Sequence, residues 1–171
     1  MSRRHARFTL IELLVCVGVI ALLIAIVMPV FSKVREKSRQ SACKNNLHGL
    51  GISFRMYLND YKDIMPIAAK MPSLNLNTLP RIADVLAPQL STPKLLRCPS
   101  DRVKPYYETE GSSYEYNDSL NGQKVSQSFL AKHFGESKVF IMYDYEPFHG
   151  KAATPGAANY LFVDGHVGDL E

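Results

Sequence analysis

Asp144, His149, Asp164 and His166 crowd the last third of the chain, and residues of these types can share a divalent cation. Their spacing argues otherwise. A calcium loop sets its carboxylates densely and at regular steps, and no such repeat is present. The bare residues fit Asp164 in a turn and Asp144 at a strand end, so no metal and no cofactor is expected. His5, His48 and His133 fall in the basic N-terminal stretch, a helical pattern and a loop, where a solvated imidazole is the default. Cys16, Cys43 and Cys98 lack the close pairing of a zinc site or a dithiol motif. Cys16 lies inside an apolar run and packs there as a small hydrophobe, while Cys43 and Cys98 lie outside it and can bridge in an oxidising compartment. Whether they do depends on a through-space distance that sequence does not supply. Tyr106, Tyr107, Tyr114 and Tyr116 offer faces that can stack on a sugar or base, or pack across strands. There is no phosphate-binding Walker loop, no nucleophile elbow and no zinc-helix pattern, so catalysis is not expected.

The elements that would position these residues begin with residues 13–31, nineteen in a row without a charge and rich in Leu, Ile, Val and Ala. About 20 such residues span a bilayer core. A cleaved secretory signal has a shorter apolar part of about 7–15 residues and a small-residue cleavage site, and neither fits here. Beyond the run, Val34, Ala42, Leu47, Leu50, Phe54, Leu58 and Tyr61 recur at helical steps, with Lys33, Arg35, Glu36, Lys37 and Arg39 making the first turns polar. One helix is therefore expected from Phe8 to about Tyr61, with Pro29 marking a kink or local melting that membrane helices tolerate. Gly49 and Gly51 weaken its second half by about 1 kcal/mol each and imply close packing on that face.

Prolines punctuate residues 63–105 and leave room for a short helix only at 79–90. Residues 106–122 read as a short strand or two with exposed loops. Strand patterns follow at 138–143, 159–163 and 166–170, with Asp164-Gly165 between the last two as a type I′ hairpin turn, both of whose central residues need positive φ. The expected fold is α+β, a long N-terminal helix whose first half spans the membrane, packed on a small C-terminal antiparallel sheet.

Phe8-Thr9-Leu10-Ile11-Glu12-Leu13, after a short basic leader and before the apolar run, resembles the processing motif of type IV prepilins and type II secretion pseudopilins. The resemblance implies a pilin-like fold, cleavage by a prepilin peptidase between Arg7 and Phe8, methylation of the new amine, and a role for Glu12 in assembly. Arg7 stands where the family usually has Gly, which calls for a peptidase of relaxed specificity. An acidic residue in a membrane helix costs up to about 2.5–3.5 kcal/mol at the centre and less near an end. The amine of Phe8 on a neighbouring subunit would offset it and fix the axial step; snorkelling to the headgroups is the other outlet. Cys43-Lys44-Asn45-Asn46-Leu47, Tyr57-Leu58-Asn59-Asp60-Tyr61, Leu96-Arg97-Cys98-Pro99-Ser100-Asp101 and the stretch 159–167 resemble the prepilin-like proteins of planctomycete and lentisphaera-type bacteria. That branch ends in a histidine, nine residues, then Asp-Gly; here Asp164, Gly165 and His166 are kept, but Thr154 holds the histidine's place.

The divisions expected on this basis are a leader at 1–7, a membrane helix at 8–31, its soluble continuation at 32–61 and a small α+β domain at 62–171. The formal charge of +4 sits mostly in the leader: without Arg3, Arg4 and Arg7, 17 basic residues face 16 acidic ones. A nucleic-acid partner is therefore not expected. Basic residues flank the apolar run on both sides, so the charge rule for orientation is nearly neutral. The resemblance places the N-terminus inside and the C-terminal domain in the periplasm or on a filament, anchored once in the inner membrane. It implies like subunits, a prepilin peptidase, an inner-membrane assembly platform and membrane lipid as partners. The expected role is a structural subunit of a periplasmic pseudopilus or filament, serving protein secretion. A membrane-anchored module holding a glycan or other ligand is the alternative.

Overall fold

The computed structural model describes residues 9–170, so Arg7 and Phe8 lie outside the described residues. The chain falls into two units, Met1–Lys37 and Ser38–Glu171. Helix α1, Leu10–Asp60, runs from one into the other. It continues through Pro29 without the local melting anticipated there, and the Ser32 hydroxyl donates to the Pro29 carbonyl at 3.0 Å. It is the one helix among the described residues long and apolar enough to cross a membrane, with a mean hydropathy of 3.1 over an 18-residue window. α1 ends where Lys62 and Asp63 turn left-handed, at φ 55° and 62°, and the Asp63 amide closes the last turn on the Leu58 carbonyl at 2.9 Å.

Within the second unit, Cys43, Leu47, Leu50 and Phe54 recur at steps of four, three and four and are fully buried. That spacing puts them on one helical face. Ala42, one residue off that face, is only half-buried, and Tyr61 at its end is exposed. The face meets the rest of the unit at close range. A Cβ on Gly51 would stand 3.1 Å from Leu161 Cδ1, and one on Gly49 2.8 Å from Leu95 Cδ2. Gly51 lies tight against the buried Leu161 of the sheet, while Gly49 meets only the side-chain tip of Leu95.

Short helices α2, Ile82–Leu86, and α3, Tyr106–Glu110, lead to strand β1, Tyr114–Tyr116. Residues 106–122 thus hold a helix that the sequence pattern did not show, together with a strand that is buried throughout. Asp101 creates that helix: Oδ1 and Oδ2 accept from the amides of Tyr106 and Tyr107 at 3.1 and 2.9 Å, and Oδ2 also accepts from Ser113 Oγ at 2.7 Å. Helix α4, Phe129–Phe134, is capped by Ser128 Oγ, which accepts from the Ala131 amide at 3.1 Å. Strands β2, Phe140–Asp144, β3, Tyr160–Phe162, and β4, Val167–Gly168, complete a four-stranded antiparallel sheet in the order β1-β2-β3-β4. β2 and β3 pair with a register shift between Phe140 and Met142, which places Ile141 in a bulge. The core joins α1 to this sheet: Phe54 stacks on Tyr116 at 6.0 Å, and the Tyr114 hydroxyl donates to the Cys43 carbonyl at 3.3 Å. The architecture is α+β, a long N-terminal helix packed on a small antiparallel sheet.

Candidate functional site

Thr9 and Glu12 close the start of α1 reciprocally. Glu12 Oε2 accepts from the Thr9 amide at 2.8 Å and from Thr9 Oγ1 at 2.7 Å, while Thr9 Oγ1 accepts from the Glu12 amide at 3.3 Å. This is a capping box, with threonine at the cap and glutamate three residues on. The pattern Thr-x-x-Glu ahead of an apolar run was present in the sequence and would have announced it. On either side of Glu12, every large apolar side chain from Leu10 to Val34 is 47–82% exposed. One carboxylate therefore stands at the head of a long apolar surface.

Asp164, Gly165 and His166 join β3 to β4, and the turn differs from the anticipated type I′. Gly165 has φ 91° but Asp164 is not in the left-handed region. The Phe162 amide donates to the His166 carbonyl at 3.0 Å, and the Gly165 amide to the Phe162 carbonyl at 2.9 Å. The loop is thus Val163-Asp164-Gly165, a three-residue hairpin with glycine in the left-handed position. Asp164 Oδ1 explains the change, because it accepts from the His166 amide at 3.0 Å and contacts His166 Nδ1 at 2.6 Å. Burial acts to raise this carboxyl, but the His166 hydrogen bonds and the nearby His166 and Arg55 charges outweigh it and hold the carboxyl below its ordinary value. Arg55 of α1 donates through Nη2 to the Asp164 carbonyl, and the His166 ring stacks on Phe162 at 4.1 Å. The hairpin tip is therefore pinned to the helix.

Cys43 of α1 and Cys98 form a disulfide with Cα atoms 5.0 Å apart. Cys16 is free and exposed on α1. Against the disulfide lies His149, whose Nε2 is 3.6 Å from Cys98 Sγ and 3.7 Å from Asp144 Oδ2. The connection from β2 to β3 brings it there, with the His149 amide donating to the Ala157 carbonyl at 3.0 Å and the Gly156 carbonyl accepting from Gln40 Nε2 at 2.6 Å. Asp144 Oδ2 accepts from the amide and side-chain nitrogen of Asn159, both at 2.8 Å. Burial pushes the Asp144 carboxyl up to about 7, against the Asn159 hydrogen bonds; the Asp101 charge adds to the rise and Lys44 opposes it. The quartet Asp144, His149, Asp164 and His166 does not converge: among the described residues, the group with metal-donor atoms in mutual reach is Cys43, Cys98 and His149. Thr154, at the place of the missing signature histidine, uses its hydroxyl to close a local turn on the Lys151 carbonyl at 2.6 Å.

Over 57 residues, 33% of its length, the chain is 39% identical to the type IV major pilin protein PilA of Myxococcus xanthus. It is pilin-like over that stretch. The match spans 26% of the length of that pilin. No family model matches the chain, and no solved structure does. The one long apolar helix among the described residues of this pilin-like chain fits a single-pass membrane anchor.

The tyrosine-rich stretch is mostly interior. Tyr114 and Tyr116 are fully buried, with their hydroxyls on the carbonyls of Cys43 and Pro66, so they cannot stack on a ligand. Tyr106 is half-buried and lies flat on Tyr145 at 4.7 Å, and its hydroxyl, donating to Glu146 Oε1 at 2.7 Å, is pushed up to about 12 chiefly by burial. One face of its ring is taken by that neighbour. The ligand-binding alternative therefore loses two of the four side chains that suggested it.

Proposed function

We propose that the chain is a membrane-anchored structural subunit that packs with copies of itself through α1, its mechanism being assembly and not turnover. One observation carries this: the exposed apolar surface of α1 from Leu10 to Val34, headed by the Glu12 carboxylate. Contiguous apolar surface of this extent is covered by lipid or by like helices. The likeness to a type IV major pilin supports the second. In the finer reading, a prepilin peptidase cuts between Arg7 and Phe8, the new amine is methylated, and Glu12 pairs with the Phe8 amine of a neighbour on an inner-membrane platform. The product is a periplasmic pseudopilus or filament used in protein secretion, with the domain from residue 62 onward on the periplasmic side. The Asp164-Gly165-His166 turn belongs to the branch of such proteins that it resembles.

The capping box sets a rival account of Glu12, since the carboxylate is already used within its own helix. Glu12→Gln separates the two, because glutamine keeps the box and loses the charge. With a bifunctional amine cross-linker in native membranes, the wild type should give ladders and Glu12→Gln should lose most of them. Thr9→Val, which opens the box and keeps the charge, should retain ladders. Ladders of equal strength from Glu12→Gln would remove the charge role. Intact mass of the native protein, lacking residues 1–7 and carrying one added methyl, tests processing separately; a chain still beginning at Met1 would overturn it.

A further inference from the structure

His149 Nε2 is approached by two different donors, Cys98 Sγ at 3.6 Å and Asp144 Oδ2 at 3.7 Å, and the ligand atoms of Cys43, Cys98 and His149 all lie within 4.8 Å of one another. The His149 and Asp144 side chains and both cysteines are fully buried. A proton relay would put the carboxylate on one ring nitrogen and the sulfur on the other. Here both face the same nitrogen, so the groups converge on a point and do not form a chain. Ligands around zinc, with Zn–S of about 2.3 Å, Zn–N of about 2.0 Å and Zn–O of about 2.1 Å in a tetrahedron, lie about 3.5 Å apart along the sulfur–nitrogen edge and about 3.4 Å along the nitrogen–oxygen edge. Both observed distances fall within a few tenths of an ångström of these. Asp144 Oδ1 supplies an independent sign, because it is buried without a hydrogen-bond partner on the carboxylate that faces the imidazole. What prevents a cation from entering is the bond between the two sulfurs.

We propose that the disulfide masks a metal site, and that the reduced chain holds a zinc-type divalent cation through Cys43 Sγ, Cys98 Sγ and His149 Nε2, with Asp144, whose Oδ2 is near the imidazole but outside the mutual reach of the other three, closing in as the fourth ligand once the sulfurs part. Two thiolates with an imidazole favour zinc over calcium or magnesium. Opening the site takes two electrons and two protons from a dithiol reductant, which itself becomes a disulfide as Cys43 and Cys98 become thiols. The cation then displaces the two thiol protons to water. Asp144 lines a cleft of about 790 Å³ together with Tyr143, Tyr160 and Asp169; His149 and the two cysteines do not line it, so an ion reaches them only through local opening. Exchange with a disulfide compound, which takes the two electrons and leaves as two thiols, would rejoin Cys43 to Cys98 and release the metal, so the two covers exclude one another and either one ties α1 to the rest of its unit.

The test uses the full chain in detergent, reduced with a phosphine that is itself oxidised to the phosphine oxide, and titrated with cobalt(II) as an optical stand-in for zinc. The reduced wild type should take up one cobalt per chain with a thiolate charge-transfer band and tetrahedral visible bands, and the oxidised chain should show none. His149→Ala and Asp144→Ala should each weaken uptake at least ten-fold in the reduced state. A reduced wild type without these bands, the same bands in the oxidised chain, or wild-type affinity in either variant would overturn the proposal. A second measurement covers loss of folding on reduction: zinc should raise the melting midpoint of the reduced wild type and leave that of reduced His149→Ala unmoved, and no rise in the wild type counts against the site. None of these outcomes depends on whether the chain assembles.

Discussion

A carboxyl at the end of β2 is held in a setting that favours its neutral form. Asp144 is raised to about 7 by burial, well above its ordinary value near 3.8. Between these values the folded chain binds a proton that the unfolded chain releases, so the stability this group contributes is present at low pH and lost as pH rises through about 4 to 7. The melting midpoint should therefore fall from about pH 5 to about pH 8 in the wild type, and Asp144→Asn, which keeps an acceptor for Asn159, should flatten that slope. Equal slopes in differential scanning calorimetry would show that the charge is compensated, with His149 at 3.7 Å the nearest candidate. Single residues of this kind were poorly legible in the sequence. His149 and Asp144 stand five positions apart, yet their meeting with Cys43 and Cys98 depends on how the connection after β2 folds back, which no local pattern encodes. Glu12 and Thr9 are the opposite case, a local Thr-x-x-Glu pattern that is readable from the sequence by itself.

Among the elements, α1 and the last three strands were legible from an apolar run, a helical rhythm and short apolar segments set off by turn residues. Cys43, Leu47, Leu50 and Phe54 repeat at helical steps, and β2 and β3 are short apolar runs bounded by turn residues. Helix α3 and strand β1 were harder, since their start is set by Asp101 five residues upstream and their burial by α1, far away in the chain. The disulfide ties α1 to the segment that precedes α3, across a separation of 55 residues. By chain entropy it is worth about 4 kcal/mol, so Cys43→Ser with Cys98→Ser should lower stability by that order in urea unfolding under oxidising conditions. Gly51 offers a finer check on the helix–sheet contact. Gly51→Ala gains about 1 kcal/mol of helix propensity but presses on the fully buried Leu161 at about 1–3 kcal/mol, for a net loss of about 1 kcal/mol. Gly49→Ala meets the tip of the half-buried Leu95, which can swing aside, and should be close to neutral.

For the molecule as a whole, the division near Lys37 separates a unit whose apolar side chains face outward from one whose apolar side chains face a core. Only the second is complete by itself in the sense of having its own interior. The first needs surroundings, and Cys16 reports what they are. It stands four residues after Glu12, one turn along α1 on the same side, and it is the free thiol left once Cys43 and Cys98 are joined. If neighbouring copies meet along that side, mild oxidation by copper phenanthroline in native membranes should couple them through Cys16, and Cys16→Ser should abolish the product. With one reactive sulfur per polypeptide, coupling must stop at two. However many subunits lie in register, the gel should show a doublet and nothing above it, and the fraction converted becomes a census of how many molecules have a neighbour on that flank.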